Sequence, residues 1–210
     1  MKKTINIFGD ITSDPKLKTD VSAEFITSEL DGLNKGDEIE ININSYGGEV
    51  FEAVAISNLI AISPASKVFN VIGICASAAT MLFSATDIVN IAKGAMVMYH
   101  KPMVDINGNA NDLRKTARLL DKMEKEQILS NLIIRSGKNA DELVLLLTEE
   151  WWLTSDEAVQ ILGFADAGIS AIMNKAETKQ TGIYKNYIER KKALNSNAYS
   201  IFINHKKSLK

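Results

Sequence analysis

The run Glu38-Ile-Glu-Ile-Asn-Ile-Asn-Ser45 sets isoleucine at every second position, so Ile39, Ile41 and Ile43 share one face of a strand. Tyr46-Gly-Gly-Glu49 ends the strand. Val50, Phe51, Val54 and Leu59 then follow at helical spacing. A strand that passes into an apolar helix through two glycines demands layers of both kinds, and the rest of the chain keeps that alternation. Further strands are predicted at residues 4–8, 68–74, 87–91 and 95–99, and helices at 21–33, 49–61, 78–84 and 112–135. Residues 141–147 continue as a shorter helix. Thr154-Ser-Asp-Glu157 reads as a capping box and Gly163 as the stop of the helix it opens. Pro64 and Gly94 punctuate the pattern, no repeat interrupts it, and the fold class is α/β.

The chemistry points to two segments. Ser77 lies in Val71-Ile-Gly-Ile-Cys-Ala-Ser-Ala-Ala-Thr80, where a buried strand gives way to a helix through Met81, Leu82 and Phe83. A serine at such a turn is exposed on one side and close to free backbone N–H groups. Taken alone, the segment more often marks an ordinary N-cap with small residues for tight packing. A serine hydroxyl becomes a nucleophile only when a base takes its proton, and imidazole is the usual base near neutral pH. The chain has two histidines. His205 lies in the lysine-rich end, which leaves His100, in Met98-Tyr-His-Lys-Pro102, as the partner of any serine–histidine pair. Cys75 is the single cysteine. It could serve as an alternative nucleophile, though a small buried core residue is the commoner role. The glycine pair of Tyr46-Gly-Gly-Glu49 can aim N–H groups at a developing oxyanion, yet many tight strand–helix turns need it for geometry alone.

Asn44-Ser-Tyr-Gly-Gly48, Gly73-Ile-Cys-Ala-Ser-Ala-Ala79 and Tyr99-His-Lys-Pro102 resemble, in order, the motifs of the Clp protease proteolytic subunit. Those are Asn-Ser-Pro-Gly-Gly, Gly-x-x-Ala-Ser-Met-Gly/Ala and His-Gln-Pro. A fourth stretch, Glu150-Trp-Trp-Leu-Thr-Ser-Asp-Glu-Ala158 with Gly163-Phe-Ala-Asp166, is similar to the family's acid motif. The resemblance spans about residues 4–170. It implies a crotonase-like spiral of ββα units and a serine endopeptidase with Ser77 as nucleophile and His100 as base. It also implies an oxyanion hole from the N–H groups of Gly47 and Ala78. Glu150 stands where the family has its triad aspartate, with Glu149, Asp156 and Asp166 as the other carboxylates around that motif. Tyr46 replaces the family's proline. Phage- and prophage-encoded relatives, head-maturation proteases among them, resemble this chain in Glu-x-Trp at the acid motif. The substrate implied is a peptide or an unfolded protein, cleaved inside an oligomer of heptameric, stacked rings. The family's axial segment, which meets an ATPase unfoldase, precedes the strand at 4–8. Here almost nothing precedes it, which leaves that partner open. Neither metal nor organic cofactor is required.

At 210 residues and 46% hydrophobic content the chain can bury a sizeable core. Met1-Lys-Lys3 leads straight into a strand rather than a signal peptide, and no stretch is long enough to span a membrane. The expected site is the cytoplasm, with no membrane partner. Charge divides the chain. Residues 175–210 hold nine Lys/Arg against Glu177 and Glu189, a balance of +7, so residues 1–174 carry −9 to reach the net −2. The division expected is therefore a protease domain at 1–174 and a basic extension at 175–210. That extension would pack on the body or on a neighbouring subunit; nucleic acid is not the expected partner. In the helix at 112–135, Leu113, Ala117, Leu120 and Met123 make one stripe, and Ile128, Leu129, Leu132, Ile133 and Ile134 crowd its end. That is more apolar surface than one face buries, and suits an oligomer contact. Two rivals share these features: a crotonase-fold acyl-CoA enzyme, which needs no Ser77–His100 pair, and a catalytically degenerate assembly protein.

Overall fold

The alternation of β2 (Glu38–Ser45) decides where the core lies. Ile39, Ile41 and Ile43 are completely buried, as are Ile5 and Ile7 of β1 (Lys2–Ile7), which pairs with it in parallel. The computed structural model describes residues 1–86 and 88–166, with only the backbone described at residues 134, 135, 165 and 166. The expected basic extension at 175–210 lies outside the described residues.

Between these strands runs α1 (Ala23–Leu30). The Ser22 hydroxyl accepts from the Phe25 N–H at its N-cap, and the carboxylate of Glu52 accepts from the Ala23 N–H. Glu52 belongs to α2 (Val50–Ile62), which leads to the long strand β3 (Ser66–Ala76). A tight 3₁₀ helix, Ser77–Ala85, follows directly. Then come β4 (Ile88–Ile91), β5 (Met96–Tyr99), α3 (Ala110–Met123), α4 (Ser130–Ser136) and α5 (Ala140–Leu147). The described chain ends with β6 (Trp151–Thr154), α6 (Ser155–Leu162) and β7 (Ala165–Asp166). The order β1-β2-β3-β4-β7 is parallel throughout, and β6 joins β5 antiparallel. The α/β expectation stands.

One row of side chains pins the register. Asn6, Asn42, Asn70 and Asn90 occupy paired positions on β1 to β4. Each amide donates to the next: Asn90 to Asn70 at 2.8 Å, Asn70 to Asn42 at 3.0 Å and Asn42 to Asn6 at 3.0 Å. A one-residue slip of any strand would carry its asparagine to the other face and break the row.

Three details differ from the sequence reading. The buried face of α2 is Ala53, Ile56, Ser57 and Ile60, while Phe51 is exposed. The small residues face inward because the 3₁₀ helix lies against them, close enough for the Ser57 hydroxyl to reach the Met81 carbonyl at 3.2 Å. The single helix expected at 112–135 is two, α3 and α4, joined by a π-helical stretch, Glu124–Leu129. Its apolar end is partly core: Leu129 and Leu132 are buried, Ile133 is partly exposed, and the side chain of Ile134 lies outside the described ones. Finally, β6 was not foreseen. Its strand geometry sends adjacent tryptophans to opposite faces, so Trp151 is buried and Trp152 exposed. The Thr154–Glu157 capping box and the left-handed Gly163 at the end of α6 match the sequence reading.

Candidate active site

The length of β3 creates the site. Its first half, Val68 to Val71, pairs with β4; its second half, Ile74 to Ala76, pairs with β5. Between the halves, the Asn44 side chain lies where any Cβ on Gly73 would be, and its Oδ1 accepts from the Ile74 N–H at 3.2 Å. Cys75 pairs with Val97 and Ala76 with Met98, so Ser77 and His100 sit just beyond the C-terminal ends of neighbouring parallel strands. Ser77 Oγ and His100 Nε2 are 2.6 Å apart, a short hydrogen bond.

Ser77 is the one non-glycine residue with positive φ among the described residues, at 54°. A side chain held in that region costs of order 1–3 kcal/mol and persists only where its surroundings enforce it. Here the turn from strand to 3₁₀ helix enforces it, and the Thr80 hydroxyl donates to the Ser77 carbonyl at 2.6 Å. The turn leaves the Ala78 N–H in the first, unbonded turn of the helix. Cys75 is fully buried, and burial pushes its thiol well above the ordinary cysteine range. It remains a protonated core residue, and the alternative nucleophile falls away.

The Gly47–Gly48 turn lies against this serine. A Cβ on Gly47 would sit 2.6 Å from the Ala76 carbonyl and 2.8 Å from the Ala78 nitrogen, and the residue has φ of 100°. Its N–H differs from the expectation. It donates to the buried Ser45 hydroxyl at 3.1 Å, and Ser45 in turn donates to the Gly9 carbonyl at 2.6 Å. The Glu49 N–H is also spent, on the Ile11 carbonyl. Between them, the Gly48 N–H has no partner among the described residues. The segment at 11–13 clamps the turn: Ile11 N–H donates to the Gly47 carbonyl at 2.8 Å, and the Thr12 and Ser13 hydroxyls donate to Glu49. Those donors hold the Glu49 carboxyl below the usual carboxylate range. Its stabilising effect is therefore present at neutral pH and is lost as pH falls through that lowered value. Gly47→Ala is expected to destabilise the fold by about 1–3 kcal/mol through strain. It should also displace Ser77; thermal unfolding and peptide turnover measured on the same preparation check both.

A cleft opens beside the pair, lined by Val50, Met81, Tyr99, Pro102 and Ile128. Ile128 comes from the π-helical stretch, whose Glu124 pairs with Lys101 at 2.9 Å, next to His100. No spacing rule in the sequence announces a π-helical turn, so this wall of the cleft was not legible beforehand.

Glu150 is not joined to His100. It directly precedes β6, whose pairing with β5 sets Tyr99 opposite Trp151. His100 and Glu150 are the residues next beyond this ladder, one on each chain. Yet the Glu150 carboxylate accepts from the Trp152 indole N–H at 3.3 Å, while the described hydrogen bond of the His100 ring is the one to Ser77. Asp156 sits exposed in the first turn of α6, and the side chain of Asp166 lies outside the described ones.

Residues 2–172 match the Clp protease family. Curated relatives include an ATP-dependent Clp protease proteolytic subunit from Bacteroides fragilis, 31% identical over 136 residues, covering 61% of this chain and 63% of that protein. The subunit 3 of that name from Rhodococcus jostii is 30% identical over 175 residues, 81% of this chain and 82% of its own length. Subunit 2 from Borreliella burgdorferi is 31% identical over 163 residues, 74% of this chain and 77% of its own. This chain thus spans less than two thirds of the length of the Bacteroides relative.

Proposed function

Since the chain belongs to the Clp protease family, we propose that it is a serine endopeptidase that cleaves peptides or unfolded protein through an acyl-enzyme. The observation that carries the proposal is the 2.6 Å contact between Ser77 Oγ and His100 Nε2 at a strained turn. His100 takes the hydroxyl proton as Ser77 attacks the peptide carbonyl. The oxyanion that develops is met by the N–H groups of Ala78 and Gly48, the latter in place of Gly47, whose N–H is already spent on Ser45. His100 then returns the proton to the departing amine, and a water repeats the sequence on the ester. Glu150, which directly precedes β6 as His100 directly follows β5, is the carboxylate that would hold the imidazole in the right tautomer and stabilise its cation. The apolar cleft beside Ser77 suits an apolar substrate side chain. The pair favours this reading over an acyl-CoA enzyme of related fold, which needs no activated serine. Incubation with a fluorogenic peptide and with an acyl-CoA thioester separates them: the peptide should be hydrolysed, and turnover of the thioester alone would reject the proposal.

Assembly into rings is part of the same proposal. Helix α3 has 14 residues and buries none of them, although Leu113, Ala117, Leu120 and Met123 line one side. Met103, Val104 and Ile106, just before it, are exposed too. An amphipathic helix that has no buried residue among the described ones is supported by apolar contact with another copy. Light scattering at micromolar concentration should report a particle larger than a dimer. Replacing Leu113 and Leu120 with Asp should break it down, and a wild-type monomer would contradict the assembly. No helix among the described residues is long and apolar enough to cross a membrane, which is compatible with work in the cytoplasm.

A further inference from the structure

The serine-peptidase reading gives Glu150 a task that its observed hydrogen bond does not serve. The β5–β6 ladder runs Met96 with Thr154, Val97 with Leu153, Met98 with Trp152 and Tyr99 with Trp151. Residues opposed in an antiparallel pair project to the same face, and so do residues two apart on one strand. The ladder ends at Tyr99 and Trp151; continued by one step, its register would set His100 opposite Glu150 on the face of Met98 and Trp152. Side chains opposed in this way start about 5 Å apart at Cβ, within the span of a glutamate and an imidazole. The carboxylate is instead turned back along its own strand, where the Trp152 indole N–H donates to its Oε2 at 3.3 Å. Trp152 is 41% exposed, so its ring is not locked in the core and its N–H could be satisfied by water. That indole bond is the hydrogen bond the described residues give the Glu150 side chain, and it points the carboxylate along its own strand.

We propose that Trp152 is a positioning residue: its indole N–H holds the Glu150 carboxylate away from His100, and release of that bond lets Glu150 reach the imidazole and complete the triad. The proposal rests on the serine-peptidase reading and adds a control to it. With the bond made, Ser77 and His100 act as a dyad. With it broken, the carboxylate fixes the imidazole and stabilises its cation in the transition state. The effect belongs to a step after substrate is bound, so it falls on kcat and not on KM.

Trp152→Phe keeps the ring and removes the N–H. The variant should raise kcat about three- to tenfold with KM unchanged, and Trp152→Met should act in the same direction. The gain must pass through Glu150: in a Glu150→Gln background, Trp152→Phe should change nothing. Unchanged or lower kcat in both Trp152 variants, or the same gain without the Glu150 carboxylate, overturns the proposal. Ser77→Ala, measured alongside, separates the two levels. A flat result with Ser77-dependent turnover intact rejects the role of Trp152 alone. Absence of Ser77-dependent turnover in every variant rejects the peptidase reading and the role of Trp152 with it.

Discussion

Ser77→Ala is expected to lower peptide turnover by roughly four or more orders of magnitude while leaving the fold in place. In the proposed mechanism the hydroxyl supplies the atom that forms the acyl-enzyme, and Cys75, two residues earlier, is buried with its thiol pushed well above the ordinary range. The alanine variant loses one hydroxyl and its 2.6 Å bond to His100. It also sits at the same positive φ of 54°, so backbone strain is unchanged to first order and melting temperature should move little. Turnover within tenfold of wild type would sink the assignment. What activity remains should come from the oxyanion donors and substrate binding alone.

His100→Ala should cost a similar factor, again roughly four orders of magnitude or more. The two losses should not add. A residue pair that acts as a unit loses nearly everything with either member, so the double variant should turn over peptide about as slowly as each single one. An unchanged rate in His100→Ala would remove the base from the mechanism. Additive losses in the double variant would mean that Ser77 and His100 work independently, against the contact between them.

How much of this was legible beforehand differs residue by residue. The period-two isoleucines of β2 fixed a strand and its buried face because burial on a pleated sheet is a local, repeating constraint. Ser77 and His100 could be paired in advance because each carried a recognisable motif, and the parallel pairing of β3 with β5 then brings the ends of those motifs together. The donor of the glycine turn could not be chosen the same way. Two adjacent glycines look alike in sequence, and which N–H is left over depends on Ser45, whose hydroxyl takes the one from Gly47. The direction of Glu150 was hidden for a similar reason: its carboxylate accepts from the Trp152 indole N–H, a bond that no spacing rule announces. Strand β6 escaped notice because four residues, two of them tryptophan, give no clear alternation. The π-helical stretch escaped because nothing in Glu124–Leu129 departs from ordinary helical composition. The buried face of α2 was not assigned by its helical spacing: hydrophobicity marks Phe51, while Ala53 and Ser57 face inward against the 3₁₀ helix.

The central claim is that Ser77 is a nucleophile made reactive by His100. The most direct measurement is treatment of the full chain with a fluorophosphonate, followed by mass-spectrometric mapping of the adduct. The account predicts one modified residue, Ser77, with the adduct missing from His100→Ala and unaffected by Cys75→Ala. Stoichiometric labelling of a different serine, or labelling of Ser77 that proceeds equally well without His100, would contradict it.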